Sequence, residues 1–156
     1  MIEIKVTDEN VVAAFNRLIA LGEDMEPVMR DIAGILQDAV EQNFEEQGRP
    51  KWESLGAATL KLKAKRGKTT PKILQDTGRL AASITARYDA DSATVGTNVL
   101  YAAIHQFGGQ AGRGHKVTIP ARPYLPITPD GHLANGLDDE ITSILRGAIE
   151  NALVGR

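Results

Sequence analysis

Between Val28 and Phe44 the apolar residues Val28, Met29, Ile32, Ile35, Leu36, Ala39, Val40 and Phe44 recur three and four apart. That spacing keeps one helix face apolar for more than about four turns. A stripe of this length is not stable facing water, so the fold must lay a second layer against it. The spacing predicts a helix that begins near Asp24, takes Pro27 into its first turn, and stops at Gly48 and Pro50. This helix is expected to cover a sheet.

The other elements follow from shorter patterns. Ile2, Ile4 and Val6 alternate with Glu3 and Lys5 as a short strand. Thr7 or Asp8 can cap a helix carrying Val11, Val12, Phe15, Leu18 and Ile19, which ends at Gly22. Ala57 to Lys65 reads as a short basic helix, and Asp76 or Thr77 caps a turn containing Gly78 and Leu80. Ile84, Ala86 and Tyr88, then Ala93, Val95 and Thr97, alternate on either side of the turn residues Asp89 to Ser92, which predicts a β-hairpin. The stretch TPDGHLANG is a loop by its Pro, Gly and Asn content. A last amphipathic helix is expected from Leu137 to Val154, with Asp138, Asp139 and Glu140 placed where the helix dipole favours negative charge. The sum is a single α+β domain over residues 1–156: a small antiparallel sheet of about four strands, packed by the long helix and the C-terminal helix, with long mobile loops.

The stretch from Tyr101 to Leu125, YAAIHQFGGQAGRGHKVTIPARPYL, is the densest in signals. Asn98 is a suitable N-cap for a helical turn bearing Tyr101, Ile104 and His105, and Gly108 and Gly109 end that turn. From Gly109 to Gly114 nothing larger than Ala111 is apolar, so this loop is expected to be mobile. Val117 and Ile119 alternate with Lys116 and Thr118 as a strand, which Pro120 and Pro123 stop. Arg122, between two prolines, is placed to offer its guanidinium fork to a carboxylate of this chain or a neighbour.

Charge is segregated beneath a net of −2. Residues 1–48 carry 3 basic and 11 acidic side chains, residues 49–90 carry 10 and 3, and residues 91–156 carry 5 and 6. Such blocks suit head-to-tail association through complementary fields, or pair within one fold. The absence of cysteine excludes disulfides, thiolate zinc sites and cysteine nucleophiles. No apolar run approaches the roughly 20 residues that span a bilayer, and the N-terminus is unlike a signal peptide, so a soluble intracellular chain without membrane contact is expected.

His105, His115 and His132 match no zinc spacing. Gly67 to Thr69 ends like a P-loop but lacks the earlier glycine, and no GxSxG elbow occurs. No catalytic, cofactor-binding or metal-binding residue is therefore assigned. The run Lys61 to Lys72 has six cations and no acid, so it is expected to be an exposed loop able to touch phosphates. No aromatic residue interleaves with it, so a stacking platform is missing, and a small non-specific DNA-binding protein using residues 61–72 stands only as the alternative reading. Trp52, the only tryptophan, reads either as an anchor pinning a loop to the body or as an interface anchor.

Several of these pieces, taken in order, resemble one family. They are Phe44, Gln47, Gly48, Pro50, Trp52 and Leu55; Ile73 and Leu74; Thr77 to Leu80 with Ser83 and Ile84; Val95 to Thr97; Tyr101 to Gly109; and Ile119 to Pro123. In that order and with those gaps the chain resembles the phage virion morphogenesis proteins, the tail completion proteins of Mu-like and related tailed phages. Tyr124 stands where phenylalanine is more usual, and the Gln110 to His115 loop is short and glycine-rich. The resemblance implies a non-enzymatic structural protein of the virion, assembled in the host bacterial cytoplasm, that completes the tail or neck and enables head–tail joining as a subunit of a ring. Its implied partners are further copies of itself, tail tube or terminator proteins and head connector proteins, with DNA only as passing cargo. The implied contact residues are Trp52, Lys61, Lys63, Lys65, Arg66, Lys68, His105, Phe107, Arg113 and Arg122. With their loops unordered until neighbours dock, free subunits are expected to be monomers or weak oligomers.

Overall fold

In the computed structural model, which describes residues 9–156, the long apolar stripe forms the axis of the molecule. Helix α1 spans Glu9–Glu23 and α2 spans Glu26–Glu45. Pro27 sits in the first turn of α2, and the Asp24 carboxylate accepts the Glu26 N–H at 3.0 Å just ahead of it. Val28, Ile32, Ala33, Leu36, Ala39, Val40, Asn43 and Phe44 are the buried face of α2. The predicted strand at Ile2 to Val6 and the caps at Thr7 and Asp8 lie outside the described residues.

The two halves of α2 serve two apolar clusters. Val28, Ile32, Leu36 and Ala39 pack with Leu137 and with Ile141, Ile144, Leu145 and Ala148 of α6, which spans Leu137–Val154 as the spacing predicts. Leu137 lies beside Ile35 and Ala39, whereas Ala148 and Ala152 line a hollow with Pro27 and Val28, so α6 runs back along α2. Helix α1 packs mainly on α6 and reaches the first cluster through the half-buried Leu21, but none of its own residues is fully buried. The second cluster joins Val40 and Phe44 to Trp52, Ile73, Leu80, Val99, Ala102 and Tyr124.

The predicted hairpin is present: β1, Thr85–Tyr88, pairs antiparallel with β2, Ala93–Gly96, with Thr85 opposite Gly96. Asp89 closes its turn by accepting the N–H groups of Asp91 and Ser92 at 2.9 and 2.8 Å. Both strands lie against α2, the sheet cover that the stripe requires. Between α2 and this hairpin come α3, Ala57–Lys65, and the short α4, Arg79–Ala82.

The mixed α+β class stands, but the sheet does not have four strands. The four described strands form two separate hairpins, the second made of β3, Gly109–Ala111, and β4, Val117–Ile119. The expected mobile loop after Gly109 is thus partly a strand. Apolar side chains are not needed for a main-chain ladder, and the Gln110 amide adds a bond to the Thr118 hydroxyl at 3.1 Å. Ahead of it, α5 spans Ala102–Phe107 and starts after Tyr101 rather than at Asn98. The turn is closed instead by Thr97, whose hydroxyl accepts the Val99 N–H at 3.2 Å, and by the Val99 carbonyl, which accepts the Ala102 N–H at 3.0 Å. Gly108 then ends α5 at φ 71°, where a Cβ would stand 2.9 Å from the Ala121 nitrogen, so only glycine fits.

Candidate functional site

The C-terminal end of α2 and the segment Arg122 to Leu125 are clasped together by side chains that bond main chain. Asn43, fully buried, donates from Nδ2 to the Tyr124 carbonyl at 2.9 Å and accepts Arg49 Nε on Oδ1 at 3.1 Å. Arg49 also donates to Gln42 Oε1 at 2.6 Å and to the Ala39 carbonyl at 3.2 Å. From the other side, Gln106 Oε1 accepts the N–H groups of Tyr124 and Leu125 at 3.0 and 2.9 Å. Trp52 Nε1 donates to the Pro123 carbonyl at 2.9 Å. The Phe44 ring meets the Trp52 ring edge-on at 5.8 Å and stacks on Tyr124 at 5.6 Å. An extended, proline-flanked segment has no strand partner for these groups, and the side chains supply what a ladder would have supplied.

Each residue singled out in the sequence can now be placed. Trp52 is only 7% exposed and pins its loop to the body. Arg122 is 8% exposed, and among the described residues its fork reaches no carboxylate. Nε donates to the Glu53 carbonyl at 2.9 Å and Nη2 to the Ser54 carbonyl at 3.3 Å, while its own N–H donates to the His105 carbonyl at 2.7 Å. The two prolines hold the segment extended, so the guanidinium lies across the chain and meets main chain there. His105 sits edge-on to Tyr101 at 5.8 Å, with Nδ1 buried and unpartnered. Burial, then the nearby Arg122 charge, push its pKa below the ordinary imidazole value, which favours the neutral ring.

The lysine run is half helix, since Lys61 to Lys65 belong to α3, and it is not free of intramolecular pairing. Lys63 and Lys68 converge on Asp76 Oδ1 at 2.5 and 2.9 Å, and Lys68 also reaches the Asp76 carbonyl. Hydrogen bonds from Lys63 and then Lys68 pull the Asp76 carboxyl down to about 2. Lys61, Lys65 and Arg66 remain exposed, as do Phe107 and Arg113. Thus Trp52, His105 and Arg122 come together in one junction, while the cationic residues and Phe107 lie on the surface. Among the described residues no group of three or more His, Asp or Glu side chains could hold a metal ion.

The side chains not anticipated from sequence are Asn43, Arg49 and Gln106. Asn43 was readable in principle, because it falls on the same three-and-four spacing as Ala39 and Val40, where a polar residue must find a buried partner. Gln106 lies one turn beyond the buried Ala102 on the same face of α5.

A model of the phage virion morphogenesis family matches residues 6–153, nearly the whole chain. The chain belongs to this family. Among its relatives is the "Mu-like prophage FluMu G protein 2" of Haemophilus influenzae, 51% identical over 130 residues that cover 83% of this chain and 86% of the relative. Another is the "Putative capsid assembly protein G" of Escherichia phage Mu, 32% identical over 157 residues that cover 94% and 97%. No solved structure matches the chain. Family membership makes it a phage morphogenesis protein, and its clasped junction uses the family-like segments Gly48 to Trp52, Tyr101 to Gly109 and Ile119 to Pro123 to hold one fold.

Proposed function

We propose that the chain is a non-enzymatic structural subunit that completes the tail or neck and enables head–tail joining, as one member of a ring, in particles assembled in the bacterial cytoplasm. What carries the reading is the family match over residues 6–153. The geometry agrees with it. Asn43, Arg49, Trp52, Gln106 and Arg122 are bonded to main chain within the subunit, and large apolar side chains such as Phe15, Leu100 and Phe107 stand in water. Its partners are further copies of itself, the tail tube or terminator and the head connector, with DNA passing through the channel.

The test is electron microscopy of particles made by cells that carry the phage genome with and without this chain. Without it, filled heads and separate tails are expected, and restoring the chain rejoins them. Joined, infectious particles made without the chain would overturn the proposal. Loss of the heads themselves would place the chain in capsid building instead, the role that the phage Mu relative's name carries.

A further inference from the structure

Two apolar patches with oppositely charged rims stand in water at the two ends of α2. The first is Val12, Phe15 and Ile19 on the face of α1 turned away from α6; Phe15 is 62% and Ile19 59% exposed. Glu9 and Glu23 continue that face of α1 at either end, three residues before Val12 and four after Ile19. Arg17, on the opposite side of α1, is committed to the last carbonyls of α6, donating to Ala152 and Leu153 at 2.6 and 2.8 Å.

The second patch is Leu100, Tyr101, Phe107 and Val117, with Leu100 wholly exposed and Phe107 68% exposed. Its rim is basic. No acidic residue occurs between Asp91 and Asp130, and Arg113 and Lys116 are exposed in the connection from β3 to β4. The two patches are far apart. The end of α6, to which α1 is bonded through Arg17, lies by Pro27 and Val28 in the first turn of α2, whereas Ala102 of α5 packs with Val40 and Phe44 in its last turns. A helix of 20 residues is about 30 Å long.

We propose that these patches bind one another between copies of this chain: the acid-rimmed α1 patch of one subunit against the base-rimmed α5–hairpin patch of the next. The contact rests on the ring reading above and deepens it by naming the surfaces. Either patch laid on its own copy brings like charges together around an apolar centre, which is unfavourable. The acidic patch on the basic one removes both apolar surfaces from water with complementary rims. Because the two lie at opposite ends of the subunit, the contact is heterologous and propagates into a ring or filament rather than closing a two-fold dimer.

The chain has no cysteine, so one introduced thiol marks one patch. Phe15→Cys and Phe107→Cys both alter exposed side chains, and unchanged circular dichroism would establish that each variant folds. Treated with a short bismaleimide, the mixture of the two is expected to give a cross-linked dimer in large excess over either variant alone. Placing Arg113→Glu and Lys116→Glu in the Phe107→Cys chain should reduce that product at least about tenfold. Adding Glu9→Lys and Glu23→Lys to the Phe15→Cys chain should restore it. Equal or greater product from one variant alone, or no excess in the mixture, overturns the contact. If the contact is absent while particles still require the chain for joining, the surfaces are wrong and the function stands. If it is present while joining proceeds without the chain, the function is wrong and the contact stands.

Discussion

Gly48 and Trp52 share one space. A Cβ at Gly48 would lie 2.5 Å from Trp52 Cδ1 and 2.6 Å from the Pro50 carbonyl oxygen, and the backbone there holds φ 99°. Gly48→Ala therefore has to displace the indole that bonds Pro123, and is expected to destabilise the fold by more than about 1 kcal/mol, read as a lower thermal midpoint. His105 acts through protons. Its pKa is depressed in the folded chain by burial and by Arg122, so the unfolded chain binds the proton more readily. The stability this gives is complete above the ordinary imidazole value and is lost as the pH falls through the lower folded value. The melting temperature should thus drop from about pH 7 to about pH 5, and drop less in His105→Phe, which keeps the edge-on contact with Tyr101 but has no proton to bind. An equal slope in both chains would show that another group carries the dependence.

At the scale of elements, α3 is held from its charged end. It buries none of its residues, so no apolar face fixes it; the Lys63–Asp76–Lys68 clasp ties it to the segment before α4. Asp76→Asn removes the carboxylate on which both lysines converge. Faster amide hydrogen exchange is expected over residues 61–72, with exchange in α2 unchanged. The Asp76 carboxyl is depressed from its ordinary 3.8 to about 2, so the clasp contributes fully above pH 3.8 and is lost only as the pH falls through about 2. In the native chain, protection of this segment should therefore persist down to strongly acidic pH. The β3–β4 hairpin is fixed differently, by a ladder and by Gly108, whose close approach to Ala121 sets where α5 stops.

For the whole molecule, α2 is the shared wall of two clusters. One end packs on α6, the other on Trp52, Tyr124 and α5, and Val95 borders both. Neither cluster keeps its wall if α2 unravels, so the chain is expected to unfold in one cooperative step. Trp52 fluorescence reports the second cluster alone, because it is the only tryptophan, while far-ultraviolet circular dichroism is dominated by α1, α2 and α6. The two signals should trace the same transition in urea. Separate midpoints would mean that the clusters are independent units.

Sequence by itself determined what depends on neighbours a few residues away. The period of Val28 to Phe44 and of Leu137 to Val154 dictates two helices, alternation around Asp89 dictates the first hairpin, and the glycines and prolines dictate where elements stop. It also carried the family, through short segments whose order survives any folding. The tertiary structure decided which distant polar groups meet. That Arg122 would bond the carbonyls of Glu53 and Ser54 instead of a carboxylate, and that Asn43 would seat on Tyr124, follow from bringing residues 68 to 81 positions apart into contact. Local propensity holds no information about those pairings. They arise because a buried main-chain group must be bonded, and only the packed fold shows which side chain is within reach.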